Sequence, residues 1–147
     1  MFFSDEYFMK IAYQEALQAY ELDEVPVGAV VVLNDQIIGK GHNLTQTLTD
    51  VTAHAEMLAI TAASNHLTAK YLQDCTLYVT LEPCIMCAGA IALAQVGKLV
   101  YGAHDPKRGY TLLGENILHP KTEVVTGIME EECKELLIRF FNQKRDS

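Results

Sequence analysis

Residues 76–101 constrain the fold of this chain more than any other stretch. A β-prone run, Thr76 to Leu81, ends at Glu82-Pro83, and two cysteines three apart follow, Cys84 and Cys87. Pro fits the first position of a helix because its missing N–H would have had no partner there. The small and apolar residues from Cys84 to Ala94 then read as a helix, Gln95-Val96-Gly97 as a connection, and Lys98–Tyr101 as a second strand. Such strand–helix–strand crossovers are right-handed almost without exception, so the two strands should be parallel neighbours.

The rest of the chain extends that unit. Phe8, Ile11, Ala12, Ala16 and Ala19 recur at helical spacing behind a Ser4 or Asp5 cap, which predicts an amphipathic helix over 5–21. Val27–Leu33 is an uninterrupted apolar run, a strand buried on both faces. Asn34-Asp35 is turn chemistry, and Gln36–Lys40 returns as the second arm of a hairpin. After a threonine-rich loop, Asn43 to Val51, Thr52 is placed to cap a helix from about His54 to Asn65.

Downstream, a polar loop (102–111) leads through Leu112–Leu118 to a short strand at Thr122–Thr126. A last helix, Met129 to Gln143, follows, with Met129, Cys133, Leu136, Leu137, Phe140 and Phe141 on its core face. No repeat, low-complexity tract or linker interrupts the 147 residues. The expectation is one domain, 1–147, with a three-layer α/β/α fold around a mixed sheet of about five strands.

Some functions are excluded early. The N-terminus meets acid after Met1-Phe2-Phe3-Ser4, so it is no secretory signal. The longest near-apolar run, Val25–Leu33, is too short for a bilayer, which takes about 18 residues or more. A cytoplasmic location is the default. The net charge of −8 argues against a general nucleic-acid coat protein. That charge is unevenly spread: residues 1–97 hold three basic and eleven acidic side chains, whereas 98–147 hold eight of each. An anionic partner would dock on the second part, helped by Lys107-Arg108 and Lys144-Arg145. From charge alone, ordinary solvated surface is the better reading.

The chemistry lies in two short motifs. His54-Ala55-Glu56 opens the second helix, and Pro83-Cys84-x-x-Cys87 opens the third. Thiols near a helix N-terminus are favoured as thiolates. Two such N-termini leaving one sheet can face each other across a crevice, and one imidazole with two thiolates is a zinc-type donor set. Three protein ligands leave a position for water, whose pKa the metal lowers to around 7. Glu56 is near enough to take that water's proton without binding the metal. A thioredoxin-like dithiol is one alternative, but it leaves His54 and Glu56 unexplained; a non-enzymatic zinc or dithiol module is the other. Cys133 sits on an apolar helix face and Cys75 begins the strand far from Cys84, so neither is a ligand candidate. His42, His66, His104 and His119 have no motif around them and read as surface or packing residues.

These motifs resemble the signature of the zinc-dependent nucleobase and nucleoside deaminases, whose chemistry is established. The likeness continues through Val25–Val30, Thr52–Glu56, Leu77–Cys84 and Met86–Ala90 to Gly102-Ala103-x-Asp105, Glu131–Cys133 and Phe140-Phe141. Over nearly the whole chain it is similar to the bacterial tRNA-specific adenosine deaminase branch. That resemblance implies a cytidine-deaminase-like fold, one Zn2+ per chain on His54, Cys84 and Cys87, and Glu56 as proton shuttle. It further implies Asn43 as a hydrogen-bond partner of the base, the Ala55 backbone N–H in the same pocket, and Val27 in its apolar wall. Asp105 and Phe141 match positions lining the groove for neighbouring nucleotides, with Lys107, Arg108, Lys144 and Arg145 as candidate phosphate contacts. The implied reaction is hydrolysis of a wobble adenosine to inosine in a tRNA anticodon stem-loop, by a homodimer. Deamination of a free base or nucleoside, guanine or cytosine, is the alternative. The chain departs from the best-known members at Tyr110–Gly114, where those have small residues, and at His119-Pro120-Lys121, where an Asn-His pair is common.

Overall fold

The structure, a computed structural model, describes residues 3–146. Met1, Phe2 and Ser147, which belong to the N-terminal reading and to the 1–147 domain, lie outside the described residues. Five strands form one sheet: β1 (Gly28–Leu33), β2 (Gln36–His42), β3 (Thr76–Leu81), β4 (Lys98–Ala103) and β5 (Glu123–Thr126), in the order β2-β1-β3-β4-β5. β1 pairs antiparallel with β2 and β3, while β3, β4 and β5 run parallel. The β3–β4 pair is the parallel crossover expected from residues 76–101. Asn34 and Asp35 both adopt positive φ, 51° and 62°, as a tight two-residue hairpin loop demands.

Four helices cover the sheet: α1 (Asp5–Glu21), α2 (Ala55–Leu67), α3 (Ile85–Leu93) and α4 (Glu130–Asp146). Strand alternation divides the core. Val30, Tyr78 and Val100 face α1 through Phe8, Met9 and Ala12. Ala29, Val31, Leu77, Val79 and Leu99 face the opposite way, toward Ala55, Ala59 and Ala63 of α2 and Ala88 and Ile91 of α3. α4 lies beside α1, where Tyr20 meets Phe140 with ring centroids 6.2 Å apart. The expected three layers and mixed five-stranded sheet are therefore present. Among the described residues, no helix is long and apolar enough to cross a membrane.

Three local expectations are corrected. Thr52 does not cap α2, because Asp50 Oδ1 accepts both its N–H (2.8 Å) and its hydroxyl (2.7 Å); His54 occupies the cap position. Pro83 precedes the cap of α3 instead of standing first in the helix, and the cap is Cys84 itself. Phe141 does not join the core face of α4: Cys133, Leu136 and Phe140 are buried, whereas Phe141 is exposed. An α-helix turns each successive residue by about 100°, and with Phe140 facing inward that turn carries Phe141 to the solvent side.

Candidate active site

Both motifs sit where the chain leaves a strand or loop to begin a helix. His54 and Cys84 are the N-cap residues of α2 and α3, each with extended backbone, and Cys87 lies in the first turn of α3. His54 Nδ1 stands 3.6 Å from Cys84 Sγ and 3.5 Å from Cys87 Sγ. All three ligand atoms lie within 4.8 Å of one another, and among the described residues this is the one such group of three. Tetrahedral zinc, with Zn–S about 2.3 Å and Zn–N about 2.0 Å, would hold sulfur and nitrogen roughly 3.6 Å apart. The spacing and the donor set therefore fit one tetrahedral ion. All four cysteines are free thiols, and Cys75 and Cys133 are buried away from this group.

The electrostatics single out Cys84 as the thiolate of the group. Hydrogen bonds from Cys87 and His54 outweigh burial and hold the Cys84 thiol down at about 3, while Cys87, sharing its proton with Cys84, is pushed up. The hydrogen bond to Cys84 raises His54 in turn. Glu56, two residues past His54, is almost fully buried. Burial, reinforced by the Cys84 charge, lifts its carboxyl to about 7.

The remaining pocket candidates form one connected piece. Asn43 Oδ1 accepts the Ala55 backbone N–H at 2.8 Å, and the Asn43 N–H donates to the Val27 carbonyl at 3.1 Å. Asn43 and Ala55, both expected to meet a base, are thus bound to each other, and Val27 is buried beside them. This approach depends on Gly41: a Cβ there would stand 2.5 Å from the Ala55 carbonyl oxygen, so any side chain would push α2 off β2.

Two buried carboxylates shape the surroundings. Glu24 accepts the N–H groups of Gln46 (3.1 Å) and Thr47 (2.7 Å) and the Thr47 hydroxyl (2.7 Å), with the Thr45 hydroxyl at 3.5 Å. Glu82 accepts the Asp105 N–H (3.0 Å), the Thr111 N–H (3.1 Å) and the Thr111 hydroxyl (2.7 Å), with His104 Nδ1 at 3.4 Å. In both cases burial alone would raise the pKa, and the hydrogen bonds reverse it, keeping the carboxyl below its ordinary value. Glu82 adjoins the Pro83-Cys84 motif and Glu24 has no motif, but the partners of neither could be read from the sequence, since the groups they bind lie 21 to 29 positions away.

The outer candidates are more scattered. Asp105 Oδ1 accepts the N–H groups of Lys107 and Arg108, both at 3.0 Å, so it shapes its own turn and leaves those two basic side chains exposed. Phe141 packs edge-on against Phe140, 5.3 Å between centroids, and is half exposed. Lys144 is ion-paired with Asp23, and Arg145 is hydrogen-bonded to Asn142. Of the histidines without a motif, His42 binds Glu15 at 2.9 Å and His104 faces Glu82, so both have packing partners.

The MafB19-like deaminase family matches residues 3–145 of this sequence. The chain belongs to that family. The tRNA-specific adenosine deaminase of Bacillus subtilis (strain 168) is 49% identical over 146 residues, covering 96% of this chain and 91% of its own. The enzyme of that description from Aquifex aeolicus (strain VF5) is 47% identical over 146 residues, covering 97% of each. A structure from a study of A-to-I editing by tRNA:A34 deaminases at the wobble position is similar with a TM-score of 0.82 at 44% identity, covering 88% of this chain and 97% of its own. A guanine deaminase from Bacillus subtilis is also similar, with a TM-score of 0.67 at 40% identity, covering 69% of this chain and 66% of its own. Both solved structures are deaminases on the sheet and helix frame seen here.

Proposed function

We infer that this chain is a hydrolytic deaminase that converts the wobble adenosine of a tRNA anticodon loop to inosine, releasing ammonia. One observation carries the reading. A metal-ready His54–Cys84–Cys87 group, with Glu56 buried beside it, sits on a chain 49% identical over 146 residues to a tRNA-specific adenosine deaminase.

The donor set favours Zn2+, one ion per chain, with three protein ligands and one position left to water. When bound, zinc would act as a Lewis acid that lowers the pKa of water to about 7. Glu56 lies in the first turn of α2 beside those ligands, shielded from solvent. Its role is to take the proton from the attacking water, deliver it to N1 of adenine, and later help ammonia leave. Asn43 commits its oxygen to Ala55, which leaves its amide N–H groups as donors for an acceptor on the purine edge. Val27 supplies apolar wall. A base in a single-stranded loop is extruded with little unstacking cost, which suits a pocket of this kind.

Lys107 and Arg108, exposed at a loop tip, are the stronger candidates for phosphate contact. Lys144 is already paired with Asp23. Phe141, half exposed, is available for stacking on a nucleotide. A homodimer is supported by α3, whose residues Ile85–Leu93 include no charged side chain yet leave Ile85 and Leu93 exposed. Gly89 on that helix faces open space, so a second copy can approach closely. A cytoplasmic setting fits both a tRNA substrate and four free thiols.

The likeness to a guanine deaminase favours a second reading, a free purine as substrate. One experiment separates the two. The purified protein is offered an anticodon stem-loop with adenosine at the wobble position, beside free guanine, cytosine and adenosine. Inosine in the stem-loop is the expected product; deamination of free bases alone would overturn the RNA assignment. Glu56→Ala should abolish turnover while the protein still carries about one zinc per chain.

A further inference from the structure

We propose that Glu82 is a positioning residue for substrate binding: it sets the loop 104–111 over the candidate metal centre, so its loss weakens polynucleotide binding more than chemistry. The inference rests on the deaminase reading above and extends it to a residue that touches neither metal nor base.

Three observations converge. The Glu82 side chain is nearly inaccessible, yet its two oxygens meet donors from both ends of one loop, Asp105 on one oxygen and Thr111 on the other. The loop lies directly on that carboxylate. A Cβ added to Gly109 would stand 2.2 Å from it, so Gly109 is required for the loop to close down. Finally, the same loop is stapled to the metal-binding turn. Gly109 bridges to Cys84, and the Tyr110 N–H donates to the Pro83 carbonyl at 2.9 Å. Glu82 thus fixes the distance between the ligand Cys84 and the exposed tip bearing Lys107 and Arg108.

The chemistry of the site demands a carboxylate. Both oxygens accept from backbone N–H groups. A glutamine would turn its NH2 against one of those donors, leaving the loop to move away from one end. The metal ligands and Glu56 are held by α2 and α3 themselves, so they keep their places when the loop shifts. A displaced tip loses the reach of its basic side chains to phosphate, and each lost contact flattens the salt dependence of binding.

The test uses the full chain with zinc bound, assayed on the anticodon stem-loop at several salt concentrations. Glu82→Gln should keep about one zinc per chain and a kcat within roughly threefold of wild type, while KM rises about tenfold. The slope of log KM against log salt should become shallower by about one contact. Thr111→Val, which removes only the hydroxyl donor, should shift KM the same way by about threefold. If Glu82→Gln does not fold, Thr111→Val decides alone. Zinc loss, a fall in kcat at constant KM, an unchanged KM, or a KM rise with an unchanged salt slope would each overturn the proposal. A wild-type protein inactive on the stem-loop would remove the RNA reading and this inference together. An active wild type with a neutral Glu82→Gln would remove this inference alone.

Discussion

Two loops flank the candidate metal centre, 43–53 and 104–111, and each is pinned by one buried glutamate, but the pins grip differently. Glu24 holds three consecutive residues, Thr45, Gln46 and Thr47. The ends of that loop are closed independently, by the Leu44 N–H to Ala53 carbonyl bond at 3.0 Å and by Asn43 on Ala55. Glu82 instead holds both ends of its loop and is also the surface on which Gly109 rests. The first loop is braced twice. In the second, closure and aim depend on the same carboxylate. Damage to Glu24 should therefore appear as lost folding stability with the site intact, whereas damage around Glu82 should appear at the substrate.

The largest stability effect is expected at Glu24. Glu24→Ala removes a buried carboxylate that accepts from two backbone N–H groups and the Thr47 hydroxyl on the exposed residues 46 and 47. Hydrogen bonds to a charged group contribute about 1.5–3 kcal/mol each, and water can reach the freed donors, so a loss of about 3 kcal/mol is the expectation. Urea unfolding of the zinc-loaded protein measures it. KM for the stem-loop should stay within about twofold of wild type, because Asn43 retains its own hold on Ala55. A large KM change with little loss of stability would break the contrast between the loops.

Gly109→Ala is the corresponding perturbation of the second loop. The new methyl group collides with the Glu82 carboxylate, which is boxed in by donors and cannot retreat. Overpacking of this kind costs about 1–3 kcal/mol. Here KM should rise along with the stability loss, and urea unfolding and stem-loop kinetics on one preparation would show both. A variant destabilised to this extent with an unchanged KM would mean that the tip of the loop does not meet the substrate.

These contrasts explain how far the sequence could be read. The crossover at 76–101 and the meeting of His54 with Cys84 and Cys87 were legible because proline, turn chemistry and helix N-termini act locally. The pairing of Asn43 with Ala55 was not, since it requires α2 to descend onto Gly41, a tertiary approach that leaves no periodic trace. Thr52 was a sound cap by composition, yet Asp50 two residues away takes both of its donors. Glu24 reads as an ordinary acidic residue near a strand end, and Glu82, although it lies beside the Pro83-Cys84 motif as a candidate supporting residue, shows no partners in the sequence, because the donors both bind lie on loops far along the chain. Thr111 falls in the segment where this sequence departs from the familiar pattern, and its anchoring role could be seen only once the loop had been placed.

A smaller effect follows from titration of Glu24. Its carboxyl is held below the ordinary value by the hydrogen bonds from Thr47 and Gln46, against the opposing effect of burial. A depressed folded-state pKa contributes stability that is fully present above the unfolded value, about 4.3, and is lost as pH falls through the folded one. The stability gap between wild type and Glu24→Gln should therefore be constant near neutrality and narrow below about pH 4.3. Acid release of metal affects both proteins alike and cancels in the difference. A gap that widened on acidification would mean that the charge of Glu24 does not hold the loop.

The finest comparison uses two threonines. Thr47 and Thr111 each donate a hydroxyl to their glutamate at 2.7 Å, and each also donates its backbone N–H to the same oxygen. Replacing either with valine removes one hydrogen bond to a carboxylate and preserves shape, so both should lose about 1–2 kcal/mol in urea unfolding. Stability alone cannot tell them apart. Kinetics should: Thr47→Val leaves KM near wild type, because residues 45–47 are gripped at adjacent points and the loop's ends are closed elsewhere. Thr111→Val loosens one of the two ends that aim Lys107 and Arg108, leaving it on its backbone N–H alone, and KM rises. Equal stability costs with unequal KM values would separate a brace from a positioning device built from the same three groups. Equal KM values would reduce both glutamates to scaffolding.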